Sequence, residues 1–581
     1  MLGFDGLSPD LVSSLASEGE LPAFSSLACS SRMETTVPGI SPVAWSTFQT
    51  GVDPGGHGIF DFLAPDRLRY LPKLSSVATT GSSRGRARIR LLRRSRPFWS
   101  YLGRFGLEAV VIRVPITYPP EKLSGSILSG MCVPDLRGTQ GTYTLFGGPG
   151  RRLPGGVEAP LSPVSEGVWK AFLDGPPGMR PIAVTLRRRN GGWHLGVRGS
   201  SVRLEPGLAS DWLSLRFGGR LRRARGIASF LLELSEEGAP SLYCTAIHPD
   251  PWNPPVPISH PPLYSKYLAG LIGPFATLGL AEDTWALNNS VIDEKAFLAQ
   301  CWRIFGERRE MLLDALRSVS RGLVTCVIDT SDRIQHMFWR QGPGAGSAIR
   351  DMYRRMDALL AEVLRLLDED DLLVVLSDHG FTSFDWCVDL NRWLVDNGFM
   401  TLEDGVDEIE DSFRGVDWSR TAAYSLGLAG IFLNLRGREA SGTVDPAEAP
   451  ALADRIASAL MELRGPDGSP AVLAVHRSSD VYHGPYSADA PELIVGMRSG
   501  FRSAWNSATG GVGRLQIYPN GLRWSGDHCQ DSSLVPALLA SNRKLHTEGA
   551  TIADIAPTVL SALGISPPAH MKGRSLLERS G

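Results

Sequence analysis

Val324-Thr325-Cys326-Val327-Ile328 is a largely apolar run that passes at once into Asp329-Thr330-Ser331-Asp332-Arg333-Ile334-Gln335-His336. Further on, Leu372-Leu373-Val374-Val375-Leu376 repeats the pattern and passes into Ser377-Asp378-His379-Gly380. Such runs read as strands buried on both faces. Between them Ile349, Met352, Met356, Leu359, Leu360, Val363 and Leu367 recur at helical spacing and predict an amphipathic helix. Strand, helix and strand in succession imply a parallel pairing with the helix packed on one face. Ligands of such sheets collect beyond the carboxyl ends of the strands, where both polar tails fall.

The same grammar extends outward. Ala109-Val110-Val111-Ile112 reads as another buried strand, and Met1-Leu2-Gly3-Phe4 as a short one ending at Asp5. The fold class is therefore α/β, with a largely parallel sheet sandwiched by helices. The middle of the chain changes character. From about 181 to 248 the pattern is that of β-hairpins: Val184-Thr185-Leu186, a tight Asn190-Gly191-Gly192 turn, then Trp193-His194-Leu195. A proline-rich connection follows, from Pro249 to Pro262. Residues 151–300 are expected to form a β-rich insertion and 401–525 a smaller, cap-like one. The core is then assembled from 1–150, 301–400 and 526–581.

A chain of 581 residues is too long for one hydrophobic core, which agrees with insertions or a second domain. A formal net charge of -2 gives no global pull towards polyanions. Arginine is nevertheless concentrated locally: Arg84, Arg86, Arg88, Arg90, Arg93, Arg94 and Arg96, then Arg187-Arg188-Arg189, then Arg220-Leu221-Arg222-Arg223. These read first as solvated faces, and second as a funnel for an anionic substrate; without interleaved aromatics no nucleic-acid partner is expected. The seven cysteines stand singly, as reduced thiols of a cytoplasmic protein would. No apolar run is long enough to span a bilayer. A start upstream of Met1 would add strand residues or an export signal, so cytoplasmic is a default.

Four segments carry the residue types that bind metals: Asp5, Asp332 with His336, Asp378 with His379, and Asp527 with His528. Each alone is ordinary, since an Asp after a strand is commonly a helix cap. Together they bring three histidines and several carboxylates to one edge of a sheet. Mixed imidazole and carboxylate donors suit Zn²⁺ or Mn²⁺.

In these segments the chain resembles the type I phosphodiesterase/nucleotide pyrophosphatase branch of the alkaline phosphatase superfamily. The Ser377-Asp378-His379-Gly380 block, the Asp332/His336 pair and the tail Ile552-Ala553-Asp554-Ile555-Ala556-Pro557-Thr558 carry the resemblance. It covers roughly 1–135, 320–400 and 520–575, and implies an alkaline-phosphatase-like core. The resemblance further implies one metal held by Asp332, His336 and His528 and a second held by Asp5, Asp378 and His379. The nucleophile of related enzymes, a Thr or Ser, stands ten residues before the glycine of a Thr-Gly pair; Thr50-Gly51 makes that residue Ser41. Ser41 before Pro42 also reads as a helix cap, and Ser46 and Thr47 are the fallback nucleophiles.

The implied chemistry is hydrolysis of a small phosphate diester through a covalent Ser41 intermediate, with two divalent cations and a second, hydrolytic step. The alternative is a phosphomonoesterase or phosphomutase of the same superfamily; a third reading is a non-catalytic binding protein on this fold. One departure bears on substrate. After His57-Gly58-Ile59, where nucleotide pyrophosphatases place an asparagine that holds a phosphoryl oxygen, this chain has Phe62. The sulfatase branch is disfavoured, because Ser41-Pro42-Val43-Ala44-Trp45 lacks the arginine of its motif. Trp45 is read as core.

Overall fold

A computed structural model describes residues 1–80, 88–148, 152–198, 200–219 and 223–578. The chain divides into two compact units, Met1–Leu107 with Ile334–Gly581, and Glu108–Arg333.

In the first unit, strand Leu2–Phe4 pairs in parallel with Val374–Leu376 (Leu2 opposite Val375, Gly3 opposite Leu376). Val374–Leu376 pairs antiparallel with Ala537–Ser541, which pairs antiparallel with Cys29–Met33. All three residues of Leu2–Phe4 and of Val374–Leu376 are buried, as uniformly apolar strands demand. The periodic stripe forms helix Ala348–Leu364, capped by the Ser347 hydroxyl, which accepts from Arg350 N. Ile349, Met352, Met356, Leu359, Leu360 and Val363 are all buried, each contributing roughly 1.5–3 kcal/mol by burial. Leu367 lies beyond the last turn: the helix ends at Leu364.

Smaller sheets accompany these strands in the first unit. Ala423–Leu426, Gly430–Leu433, Leu493–Met497 and Val472–Arg477 form an antiparallel sheet that shares an apolar core with helix Ala449–Met461. Strand Thr382–Val388 pairs at its end with Gly526–Asp527, placing Thr382 opposite Asp527. That pairing draws the Gly526-Asp527-His528 segment beside the loop that follows Leu376.

The second unit carries Gly322–Ile328, Glu108–Ile112 and Gly125–Leu128 as a parallel ladder, with Ser259–His260 antiparallel at its edge. The 25-residue helix Glu294–Ser318 packs on the first two of these strands. Most other strands of this unit pair antiparallel, the exception being Gly156–Ala159, which runs parallel to Tyr143–Phe146. Strand Ile182–Arg189 turns through Asn190 (φ 50°) and Gly191 (φ 73°) into Gly192–Val197. Positive φ at both central residues is the two-residue hairpin turn that Asn-Gly favours. Strands Leu213–Gly218 and Arg223–Ala228 form the next hairpin.

Parallel pairings thus stand at Leu2–Phe4/Val374–Leu376, through the three-stranded ladder, at Tyr143–Phe146/Gly156–Ala159 and at Thr382–Val388/Gly500–Ser503, while most other strand pairs run antiparallel: a mixed α/β architecture with added β-rich sheets. The seven cysteines form no disulfide, and no helix among the described residues is long and apolar enough to cross a membrane. Of the arginine runs, Arg84, Arg86, Arg220 and Arg222 lie outside the described residues. Arg93 is buried with its guanidinium donating to Ser95 O, and Arg94 sits over the Tyr486 ring.

Candidate metal centre

Asp5 follows the first short strand, Leu2–Phe4, and Gly6 after it turns with φ +70°. A Cβ at Gly6 would stand 2.4 Å from the Phe381 ring and 3.3 Å from His379 Cε1. Glycine is needed here twice over, for its backbone angle and for the close approach of the next loop. Gly6 N then donates to Asp378 Oδ1 (3.1 Å), and Gln335 Nε2 donates to Gly6 O (2.8 Å). Gln335 is held in turn by the hydroxyl of Tyr353, from the periodic helix.

These contacts gather Asp5, Asp378 and His379, all fully buried. One donor atom from each lies within 4.8 Å of the others. His379 Nε2 stands 3.2 Å from Asp378 Oδ2 and 3.7 Å from Asp5 Oδ1. Two carboxylates buried side by side repel and lose hydration, a costly arrangement that a cation relieves. The donor set of two carboxylates and an imidazole therefore fits a divalent cation.

The three histidines share a second feature. His379 Nδ1 lies 3.0 Å from Gly380 O, His336 Nδ1 2.8 Å from Gly526 O, and His528 Nδ1 2.8 Å from Gly39 O. A carbonyl can only accept, so each Nδ1 carries the proton and each Nε2 carries the lone pair. Backbone carbonyls that fix the tautomer in this way are the usual support of metal-binding histidines. The His379 and His528 rings stack with centroids 3.5 Å apart, the His336 and His528 centroids are 5.2 Å apart, and Phe381 lies against all three. Asp332 stands one turn before His336 on helix Thr330–Phe338, buried, with Oδ2 2.8 Å from Arg333 Nη1.

Ser41 opens helix Ser41–Thr50 as its first helical residue; the cap position is Ile40, and no side-chain cap bond forms. Ser41 is thus not the cap its place before Pro42 suggested: Ile40 is extended and Ser41 already has helical backbone. Its Oγ lies 3.0 Å from His379 Nε2 and 3.4 Å from Asp5 Oδ1. The alternatives are engaged elsewhere. Ser46 Oγ donates to Pro42 O in its own helix, and Thr47 Oγ1 meets His57 Nε2 at 2.9 Å. His57 Nδ1 accepts from Ile59 N, and burial lowers its pKa to about 3, so His57 is neutral and donates to Thr47.

Sequence reasoning missed several supports. Trp45, read as core, is fully buried, but its indole N–H donates to Asp5 Oδ2 at 2.9 Å. Its place four residues after Ser41, one helical turn, was the available signal. Asp527 also groups with His528 and Cys529. Its Oδ2, however, takes Arg502 (2.8 Å) and the Trp524 indole (2.8 Å), and Oδ1 takes the N–H groups of His528 and Cys529. Burial alone would raise this carboxyl; Arg502, with His336 and His528, holds it well below the usual range. Burial and Asp527 push the Cys529 thiol well up, so no thiolate is on offer. Asp527 orients the turn that presents His528. Phe62 packs, partly buried, against Ile40, Val43, Leu428, Ala508 and Cys529.

The family described as type I phosphodiesterase/nucleotide pyrophosphatase matches residues 1–144 and 256–516. No curated protein sequence matches. Among solved structures, human ectonucleotide pyrophosphatase/phosphodiesterase 5 is similar at 12% identity over 98% of this chain and 96% of that chain, with a TM-score of 0.41. The murine protein in complex with AMP gives 11% identity, 98% and 95% coverage and 0.44. Phosphonoacetate hydrolase from Sinorhizobium meliloti 1021, in complex with phosphonoacetate, gives 11% identity, 97% and 94% coverage and 0.45.

Proposed function

The chain belongs to the type I phosphodiesterase/nucleotide pyrophosphatase family and is a hydrolase of that family, and from this we propose that it cleaves small phosphate diesters through a covalent intermediate on Ser41. The observation that carries the reading is the position of the Ser41 hydroxyl, at a helix N-terminus and against both His379 Nε2 and Asp5 Oδ1.

Asp5, Asp378 and His379 would hold one divalent cation, and Asp332, His336 and His528 a second; Zn²⁺ or Mn²⁺ suits both sets. Bound there, the cations supply positive charge that lowers the pKa of a hydroxyl and offsets charge on the phosphoryl oxygens. Ser41 Oγ gives its proton to solvent and attacks phosphorus; an Oγ–P bond forms as the P–O bond to the leaving group breaks, and the departing oxygen takes a proton from solvent to leave as an alcohol. Water then attacks the same phosphorus, and the Oγ–P bond breaks to return the serine. The amino end of helix Ser41–Thr50 favours the anionic group during both steps. Trp45 holds Asp5, and the three backbone carbonyls keep each histidine in the tautomer that offers Nε2.

Phe62 supports a substrate outside the nucleotide pyrophosphates. Its ring lies in an apolar cluster with Ile40 and Val43, beside Ser41, and offers no donor to a phosphoryl oxygen.

The test is turnover of paired chromogenic diester and monoester substrates by protein reconstituted with Zn²⁺ or Mn²⁺, with Ser41→Ala alongside. Preference for the diester, lost in the variant, is the expected result. Preference for the monoester moves the reading to phosphomonoester chemistry, and full activity of Ser41→Ala removes Ser41 as nucleophile.

A further inference from the structure

The second unit carries a concentration of guanidinium groups that the reaction above does not use. Arg198, Arg216, Arg223 and Arg225 line one surface cavity of about 370 Å³, together with Phe217, Gly218, Gly219 and Ala224. The strand register explains how they meet. Arg216 in Leu213–Gly218 is directly opposite Arg225 in Arg223–Ala228, and Gly218 is opposite Arg223. Residues two apart in a strand share a face, so Arg216, Arg223 and Arg225 project from the same side of the hairpin. That face is exposed at all three, while Leu215, Phe217 and Ala224 point into the core. Arg198 reaches in from beyond strand Gly192–Val197, with Nη1 donating to Gly218 O at 2.8 Å. Arg223 Nε donates to Gly219 O at 3.2 Å.

Like charges directly opposite on an antiparallel pair destabilise it. A surface hairpin with no other task would alternate signs at such a pair, yet here two arginines face each other with two more beside them. Among the described residues, none of the four forms an ion pair with a carboxylate. Asp250 comes nearest in effect: its carboxyl is raised overall by burial, with the Trp252 N–H, Arg225 and Arg216 acting against that rise.

We propose that Arg198, Arg216, Arg223 and Arg225 form a binding site for a phosphate group carrying more than one negative charge. The planar guanidinium fork matches two oxygens of one phosphate, and the group has several donors to share. The phosphate belongs either to a small soluble molecule or to the headgroup of an anionic lipid, and the experiment separates these sources.

The experiment uses the full chain, free of metal and carrying Ser41→Ala. Inorganic tripolyphosphate is one probe, and phosphatidylcholine vesicles doped with phosphatidic acid are the other. Backbone hydrogen exchange reports where each binds. Tripolyphosphate is expected to slow exchange in Leu213–Gly218 and Arg223–Ala228, and salt is expected to weaken it steeply. Arg216→Ser with Arg225→Ser is expected to weaken binding about tenfold or more. Without any probe the same double variant is expected to melt at a slightly higher temperature, because the like-charge pair is gone; this also reports that it folds. Protection by the vesicles alone, lost in the double variant, assigns the phosphate to a lipid surface. If neither probe protects these strands, or if the double variant binds as tightly as its parent, the site does not exist.

Discussion

A serine hydroxyl is a weak nucleophile, and what distinguishes Ser41 from the hydroxyls around it is its surroundings. Ser46 and Thr47 spend their hydroxyls on Pro42 O and His57, whereas Ser41 faces His379 and Asp5. Replacing Ser41 by alanine is therefore expected to lower diester turnover by at least about 10³-fold, measured under single-turnover conditions, while metal content stays unchanged. Ser46→Ala is expected to change turnover little. Trp45→Phe keeps the ring and removes only the N–H that holds Asp5 Oδ2. It is expected to weaken metal affinity roughly 10–100-fold, read by competition with a chromogenic chelator, with the circular dichroism unchanged. A purely packing role for Trp45 would leave that affinity where it was.

At the scale of single elements, two devices invite measurement. The turn Asn190-Gly191 needs positive φ at both residues. A β-branched side chain at the second is strained there, so Gly191→Val is expected to destabilise the second unit by about 1–2 kcal/mol, seen in denaturant unfolding. In the first unit, strand Val472–Arg477 is tied to the turn that opens at Asp531 by a 2.7 Å contact between His476 Nε2 and Asp531 Oδ2. Burial alone would raise the Asp531 carboxyl; the bonds to His476 and Ser533 lower it to about 2. A carboxyl depressed in the folded state stabilises it above the unfolded pKa of about 3.9 and loses that contribution as pH falls towards 2. Asp531→Asn is expected to flatten this part of the stability profile between pH 4 and 2, followed by thermal melts across that range.

For the whole molecule, the buried carboxylates are the dominant electrostatic fact. Asp5 and Asp378 lie beside each other at zero exposure. A cation that binds the folded chain and not the unfolded one raises stability by mass action, about 2.7 kcal/mol at a hundredfold excess over its Kd. Chelation is expected to lower the melting temperature and abolish diester turnover together, and Zn²⁺ or Mn²⁺ to restore both. Metal analysis of the reconstituted protein is expected to find two ions per chain. Fewer than one would favour a binding protein on the same fold.

Much of the architecture was legible because its causes are local. The buried strands at Ala109–Ile112 and Val324–Ile328, the stripe from Ile349 to Val363 and the Asn190-Gly191 turn rest on side-chain period and turn chemistry, which neighbours in sequence decide. Their ends were less legible, since Leu367 fits the stripe yet follows the last turn, and Leu372 precedes the strand that starts at Val374. The candidate residues stood out as short motifs, but not what holds them.

The sequence by itself determined several buried strands, one amphipathic helix, one hairpin and the α/β class, because burial pattern survives in one dimension, and its short motifs carried the resemblance to the family. Only the tertiary structure decided that Trp45 reaches Asp5, that Gly6 N meets an acid 372 residues away, and that Gly39 O sets the tautomer of a histidine 489 residues away. It likewise decided that Arg216 faces Arg225. Such contacts are fixed by sheet register and loop packing, and no property of either residue alone announces its partner.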